Sequence, residues 1–292
     1  FMIKIKNEGW FFVLPLLLWL FLSIVFPLYI AIDLSFYNVK IIGTEGKFYG
    51  LKNYYKIINS SKFWYALNNS LLWVLGNALA QTFFAFLIAL TLNKTFKFQK
   101  IATNWIILSF IIPTVVIVVI WKLMLSSSSG IVSSTLVNLN IIDKPIGFFS
   151  NPNIAFISLI LINSWRWSPF LALIILSGLK SINKEIYDAS KIDGTNFFNE
   201  FWYITFPNLK HVLFVLGLVG TLLSFNVFDI IWLITKGGPS NATTTLPLLI
   251  YETAFTKFRL SQAASLSVIT SIILLTYSVI FIKFMSEKNN DE

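Results

Sequence analysis

Arg166 stands in the otherwise uncharged run 154–179. A charge within an apolar span costs a few kcal/mol or more, so it faces a cavity or a partner rather than lipid. Its surroundings read Asn163-Ser164-Trp165-Arg166-Trp167-Ser168-Pro169-Phe170, and helical spacing sets Asn163, Arg166, Trp167 and Phe170 on one stripe. An amide, a guanidinium and two flat aromatic faces suit a polyhydroxylated, C–H-rich solute. The alternative is structural: Arg166 pairs with Asp229 or with another chain and ties helices together. A second stripe, Gly220, Leu223, Ser224 and Val227, has Asp229 alongside it. Small residues there suit a solute path or plain helix packing. Asp229, nearer the end of its run, fits a gate, a loop anchor or a solute contact.

A third constellation is the segment 185–207, EIYDASKIDGTNFFNEFWYITFP, the longest mixed-charge stretch between two very apolar ones. Asn183 is placed to cap a short helix and Gly194 to end it in a left-handed turn. Asn196 is placed to cap a second helix, with Pro207 as its expected stop. On that second helix Phe197, Phe198, Phe201, Trp202 and Thr205 fall on one face. Two short helices in a loop, one amphipathic, suit a membrane surface or a partner's groove.

The elements that must carry these residues are membrane helices. Of the 292 residues, 56% are hydrophobic and only 12% charged, against about 25% charged in soluble domains. A spanning helix needs roughly 20 apolar residues, and the chain offers six such runs: 10–32, 67–92, 101–125, 154–179, 212–234 and 260–282. The first is too long for a signal-peptide core and lacks a small-x-small cleavage site, so it is expected to be an uncleaved span. Pro113 falls near the middle of the third. Without cysteine there is no disulfide framework or thiolate metal site, and one histidine, His211, makes a His-based metal centre unexpected.

Six spans put both termini on the side of the loops 93–100 and 180–211. Eleven cations, Lys4, Lys6, Lys94, Lys97, Lys100, Lys180, Lys184, Lys191, Lys210, Lys283 and Lys288, then share that side. Nine others, Lys40, Lys47, Lys52, Lys56, Lys62, Lys144, Lys236, Lys257 and Arg259, lie opposite. The positive-inside rule makes the first side cytoplasmic, although the bias is small. The cations are spread over loops rather than gathered on one face, which favours lipid headgroups and solvent over nucleic acid.

The segment 185–207 resembles the EAA loop in the membrane subunits of binding-protein-dependent ABC importers. That pattern is Glu-Ala-Ala, three residues, Gly, nine residues, then Ile-x-Leu-Pro. Here Asp188-Ala189-Ser190 stands for the triplet, Gly194 follows at the right spacing, and Ile204-Thr205-Phe206-Pro207 closes it. The departures are Asp for Glu, Ser for the second Ala and Phe for Leu. Phe228-Asp229, Thr235-Lys236-Gly237-Gly238-Pro239 and 242–245 are similar to the segment after the fifth span in permeases of the carbohydrate-uptake group, which usually have Gly where Lys236 stands. Gly50-Leu51-Lys52-Asn53-Tyr54 also fits that group.

The resemblance implies a single permease domain over 1–292: an all-α integral membrane protein with six transmembrane helices and a cytoplasmic coupling-helix loop at 180–211. Asp188, Ala189, Ser190, Gly194, Ile204 and Pro207 would couple it to an ATPase. Asn163, Arg166, Trp167, Phe170, Gly220, Leu223, Ser224, Val227 and Asp229 are the candidates for the solute path. The implied partners are a second related permease, two ATPase subunits carrying ATP and magnesium, an extracytoplasmic solute-binding protein, and membrane lipid. The expected setting is a bacterial or archaeal cytoplasmic membrane, crossed several times, with both termini cytoplasmic.

No phosphate-binding G-x-x-x-x-G-K-[ST] is present; Gly43-Thr44-Glu45-Gly46-Lys47 has the wrong spacing. No catalytic residues, metal site or cofactor on this chain are expected. The rivals are the same importer class carrying glycerol phosphate, and an ion-coupled secondary transporter, which would need intramembrane carboxylates where Asp229 stands alone.

Overall fold

The computed structural model describes residues 8–39 and 46–290. Lys4, Lys6, Lys40, Gly43-Thr44-Glu45 and the side chain of Lys288 lie outside the described residues. Most of the rest is helical. In chain order come α1 (Glu8–Leu20), a π-helical turn (Phe21–Val25) and α2 (Phe26–Ser35). A two-residue antiparallel hairpin follows, β1 (Tyr37–Asn38) with β2 (Lys47–Phe48), pairing Tyr37 with Phe48. Then come α3 (Lys52–Ile58), α4 (Ser61–Asn93), α5 (Gln99–Ile111), α6 (Thr114–Met124), α7 (Ile131–Asn138) and α8 (Pro152–Ser181). The mixed-charge segment holds α9 (Lys184–Ile192), α10 (Phe197–Glu200), a π-helical turn (Phe201–Thr205) and α11 (Phe206–Asn208). The chain ends with α12 (Lys210–Phe225), α13 (Asp229–Thr235), α14 (Leu246–Tyr251), a π-helical turn (Glu252–Thr256) and α15 (Leu260–Asn290).

Four stretches are long and apolar enough to cross a membrane: Phe12–Ser35, Ser61–Asn93, Pro152–Ser181 and Leu260–Met285. The first, second, fourth and sixth expected runs overlap these stretches. Two more appear only as bent pairs, so the count reaches six if each pair is one span. The run 101–125 is not one helix: α5 and α6 meet at 96°. Pro113 has no N–H to donate and holds Ile112 extended, at ψ 130°, which ends α5. The run 212–234 is not one helix either. α12 stops at Phe225, and Asn226 turns its amide back onto the Leu222 carbonyl (2.8 Å). α13 restarts three residues later, which places Asp229 in a first helical turn rather than inside a span.

The described residues form two compact units: one up to Tyr65 together with Leu249–Thr276, the other Ala66–Leu248 with the residues from Tyr277 onward. In the first, the GLxNY segment acts as a clasp. Gly50 takes a left-handed turn (φ +56°), and buried Asn53 donates to the carbonyls of Ser35 (3.0 Å) and Tyr37 (2.8 Å). Val39 donates to the Ser261 hydroxyl (2.8 Å), tying the hairpin to α15.

In the second unit lies α8, the most buried of the four long apolar stretches. Asn151 caps it by accepting from the N–H groups of Asn153 and Ile154, and Pro152 takes the first-turn position where no N–H is missed. Its first half supplies Leu159 and Ile162 to a core with Trp73, Ile117, Val118, Ile230, Ile231 and Ile234. Its second half supplies Ala172, Ile175, Leu176 and Leu179 to another, with Ala85, Ala89, Leu92 and Leu209. Alanines on α4 let the helices approach closely, as small residues do between membrane helices.

Candidate functional site

The segment 180–211 folds as the capping residues dictate. Asn183 accepts the Glu185 N–H (3.1 Å) and starts α9. At its end the Thr195 N–H reaches the Ser190 carbonyl and the Gly194 N–H reaches that of Lys191, both at 3.1 Å. These two bonds make a Schellman motif, which needs a left-handed residue at Gly194, found at φ +71°. A Cβ there would meet nothing within 4 Å, so backbone conformation alone selects glycine. Asn196 then accepts from Asn199 (2.9 Å) and opens α10.

α9 presents Asp188 and Ala189 outward and buries Ser190, whose hydroxyl bonds the Tyr187 carbonyl (2.9 Å). Among the described residues Asp188 pairs only with Lys191 (3.6 Å), at the surface, an interaction of little energetic weight. The Tyr187 and Thr205 hydroxyls, 3.1 Å apart, pin α9 to the following π-helical turn. Ile204 is half-buried and Pro207 exposed.

Two details differ from the sequence expectation. Pro207 does not stop the helix. The π-helical turn before it widens the hydrogen-bond ladder, Pro207 sits in the first turn of α11, and the chain bends by 68° at Leu209. That extra residue also splits the aromatic stripe: Phe201 packs on Phe86 (5.6 Å between rings) and Thr205 is buried, while Phe197, Phe198 and Trp202 project outward. With Ile192, 88% exposed, they leave a large apolar surface beside Asp188 and Ala189. Next to it runs a groove of about 880 Å3 edged by Lys94, Lys180, Lys184 and Lys191.

The stripe on α8 also divides. Asn163 is fully buried and donates to the Asn77 side chain (2.6 Å), and its own Oδ1 has no partner. Arg166 turns to Asp229 (3.3 Å), the structural pairing foreseen for it, and lies against the Trp167 ring. Trp167 and Phe170 close around Phe110 and line a cavity of about 150 Å3. Gly220, Leu223, Ser224 and Val227 line the same cavity, so the two stripes do meet. A second cavity of about 270 Å3 shares Gln81, Leu171, Leu216, Gly220 and Ser224 with it. Asp229 and Arg166 line neither of these two.

The helix that sequence reasoning passed over is α4. Gln81 lines both cavities and donates to Asn77 Oδ1 (3.0 Å), which also accepts from Asn163. Asn77 in turn donates to the Trp73 carbonyl (2.8 Å), and the Trp73 indole donates to the Ser224 carbonyl (3.0 Å). The signal was present: Asn69, Trp73, Asn77 and Gln81 recur every four residues in an apolar run. Asn69 uses the same face to hold the 235–245 loop, donating to the carbonyls of Ala242 and Thr244 (3.1 Å each). In that loop Lys236 is left-handed at φ +52°, the conformation that makes Gly a natural occupant.

Residues 81–289 match the family of binding-protein-dependent transport system inner membrane components. The trehalose/maltose transport system permease protein MalF of Thermococcus litoralis is 29% identical over 94% of this chain and 92% of its own. The lactose transport system permease protein LacF of Rhizobium radiobacter is 29% identical over 96% and 94%. The fold superimposes on a bacterial ABC transporter involved in the import of the acidic polysaccharide alginate with a TM-score of 0.80, at 21% identity, covering 97% of both chains. A multi-pass membrane protein with this fold and this match belongs to the family of inner membrane components of binding-protein-dependent transport systems.

Proposed function

We propose that this chain is one of two permease subunits in an ATP-driven, binding-protein-dependent importer of a sugar or oligosaccharide. The observation that carries this reading is the match over 81–289, joined to relatives named for trehalose, maltose and lactose transport. The capped loop with Asp188, Ala189 and exposed Ile192 beside an aromatic knob is a surface built for a partner, and an ATPase subunit is the partner this class requires. ATP and magnesium belong on two such ATPases, with none bound by this chain. An extracytoplasmic binding protein delivers the solute, and both termini face the cytoplasm. Nucleotide-driven closure of the ATPases moves α9 to α11, and the paired permeases exchange inward- and outward-facing states.

The lining supports a neutral, hydroxylated solute. Arg166 is already matched by Asp229, whereas Gln81 and Ser224 offer an amide and a hydroxyl amid apolar walls. Each cavity is smaller than the roughly 300–1,000 Å3 of typical ligand sites. One chain therefore supplies half a path, and a second permease completes it. Glycerol phosphate remains the chemical rival, and it would need the Arg166 charge.

The test is affinity purification of the detergent-solubilised chain with mass spectrometry, beside a Gly194→Pro variant. Recovery of an ATPase and a second permease with wild type, and loss of the ATPase with the variant, supports the reading. A chain that purifies alone and moves solute without ATP overturns it. Sugar uptake that survives Arg166→Gln excludes the phosphate rival.

A further inference from the structure

The six-span reading of the sequence expects nine cations on the side opposite the segment 180–211, more than the positive-inside rule favours there. The first unit gathers four of them around one pocket. Lys56 comes from the last turn of α3, Lys62 from the first turn of α4, and Lys257 and Arg259 from the segment leading into α15. The pocket holds about 240 Å3. Ser60, Thr253 and Gln262 add polar groups, and Ile57, Phe63, Leu249 and Leu266 form an apolar floor.

The charges in this pocket do not cancel. Glu252 accepts from both Lys62 (2.8 Å) and Lys257 (3.1 Å). Among the described residues Lys56 has only the Tyr49 phenol as its hydrogen-bond acceptor (2.9 Å). Among the described residues Arg259 has no carboxylate within ion-pair distance. Glu252 sits on the π-helical turn Glu252–Thr256, a local distortion of a kind often found at binding sites. Like charges so close are unfavourable unless an anion joins them.

Depth narrows the choice of anion. The pocket lies where α4 and α15, both long enough to span the bilayer, begin. Trp64 and Tyr65 are exposed at the same level, as aromatic side chains are at the headgroup boundary. Cations above an apolar floor at this depth match a phosphodiester with acyl chains beneath it. We infer that this pocket binds the phosphate group of a ligand at the membrane interface, as an anionic phospholipid presents it. A soluble phosphate shares that chemistry.

Native mass spectrometry tests this on the full chain, purified with its co-purifying subunits and offered phosphatidylglycerol or phosphatidylcholine. Wild type should retain phosphatidylglycerol preferentially. The paired variant Lys56→Gln/Arg259→Gln should weaken retention by roughly tenfold or more, as loss of charge-assisted hydrogen bonds implies. Lys144→Gln, which removes a cation outside the pocket, should not. Glu252→Gln, which releases Lys62 and Lys257, should strengthen retention.

Titrating inorganic phosphate separates the two sources. Displacement of the lipid names a soluble phosphate as an occupant, and resistance names the lipid. Equal retention of the two lipids overturns the inference, as does wild-type retention by the paired variant. Lipid retention that is unchanged while only binding-protein affinity falls would reassign the pocket to a protein carboxylate, and also overturns it.

Discussion

Asn77 is the hub of a buried amide cluster, and the cluster makes an asymmetric prediction. Asn163 is fully buried and Gln81 is 5% exposed; both donate to the one oxygen of Asn77. Asn163→Leu removes one interhelical bond, worth about 0.6–2 kcal/mol in a membrane bundle. It also removes the partnerless Oδ1 of Asn163, whose burial costs about 1–3 kcal/mol. The terms nearly cancel, so the variant should lie within about 1 kcal/mol of wild type. Asn77→Leu removes both of these bonds, together with its own donation to the Trp73 carbonyl, and strands the fully buried Asn163 amide. Gln81 has an escape toward the cavities, but Asn163 has none. The expected loss is about 2–4 kcal/mol, of which the double variant Asn77→Leu/Asn163→Leu should recover about 1–3 kcal/mol. Thermal unfolding of the four purified proteins in one detergent measures all the terms. If Asn163→Leu proves as damaging as Asn77→Leu, or the double variant shows no recovery, Asn77 is not the hub.

Three further outcomes follow from single positions. Gly194→Ala should loosen the end of α9 by about 1 kcal/mol, from backbone conformation alone, and Gly194→Asn by less; hydrogen exchange across 184–195 reads this. Lys236→Gly should be neutral or stabilising, while Lys236→Val should fall about 1–2 kcal/mol below the glycine variant in thermal stability, since a β-branched residue tolerates φ +52° poorly. Burial raises the Glu252 carboxyl pKa, but hydrogen bonds and charge from Lys62 and Lys257 outweigh it and leave the group below the usual glutamate value. Its contribution to stability is therefore complete above the unfolded-state pKa and is lost as pH falls through the depressed folded value. A Glu252→Gln variant should lose that acid dependence in a pH series of unfolding midpoints.

The segment 183–207 was legible in the sequence because its structure is local. Asn183, Gly194 and Asn196 each act within a few residues, and their hydrogen bonds were foreseeable from capping chemistry. What failed there was the aromatic stripe: a π-helical turn changes the period, and nothing in a 3.6-residue pattern announces one. The inner site was less legible. Asn163, Arg166, Trp167 and Phe170 share a stripe by spacing, yet one faces an amide on α4, one a carboxylate on α13, and two a cavity. Spacing fixes only which way a residue leaves its own helix. What stands opposite depends on helices distant in the chain: Asn77 is 86 residues from Asn163, and Asp229 is 63 from Arg166.

Composition and apolar run length settled that the chain is a helical membrane protein, since burying an unpaired backbone in lipid leaves no other choice for such runs. Motif spacing settled the kind of membrane protein. Tertiary structure decided where the spans break, because Pro113 and Asn226 disrupt a helix only as far as neighbouring packing accepts the bend. It decided that Arg166 answers Asp229, that Gln81 rather than Asn163 meets the cavities, and that four scattered cations converge on one pocket. These are pairings between distant segments, and their energies exist only once helix packing has brought the partners within hydrogen-bond reach.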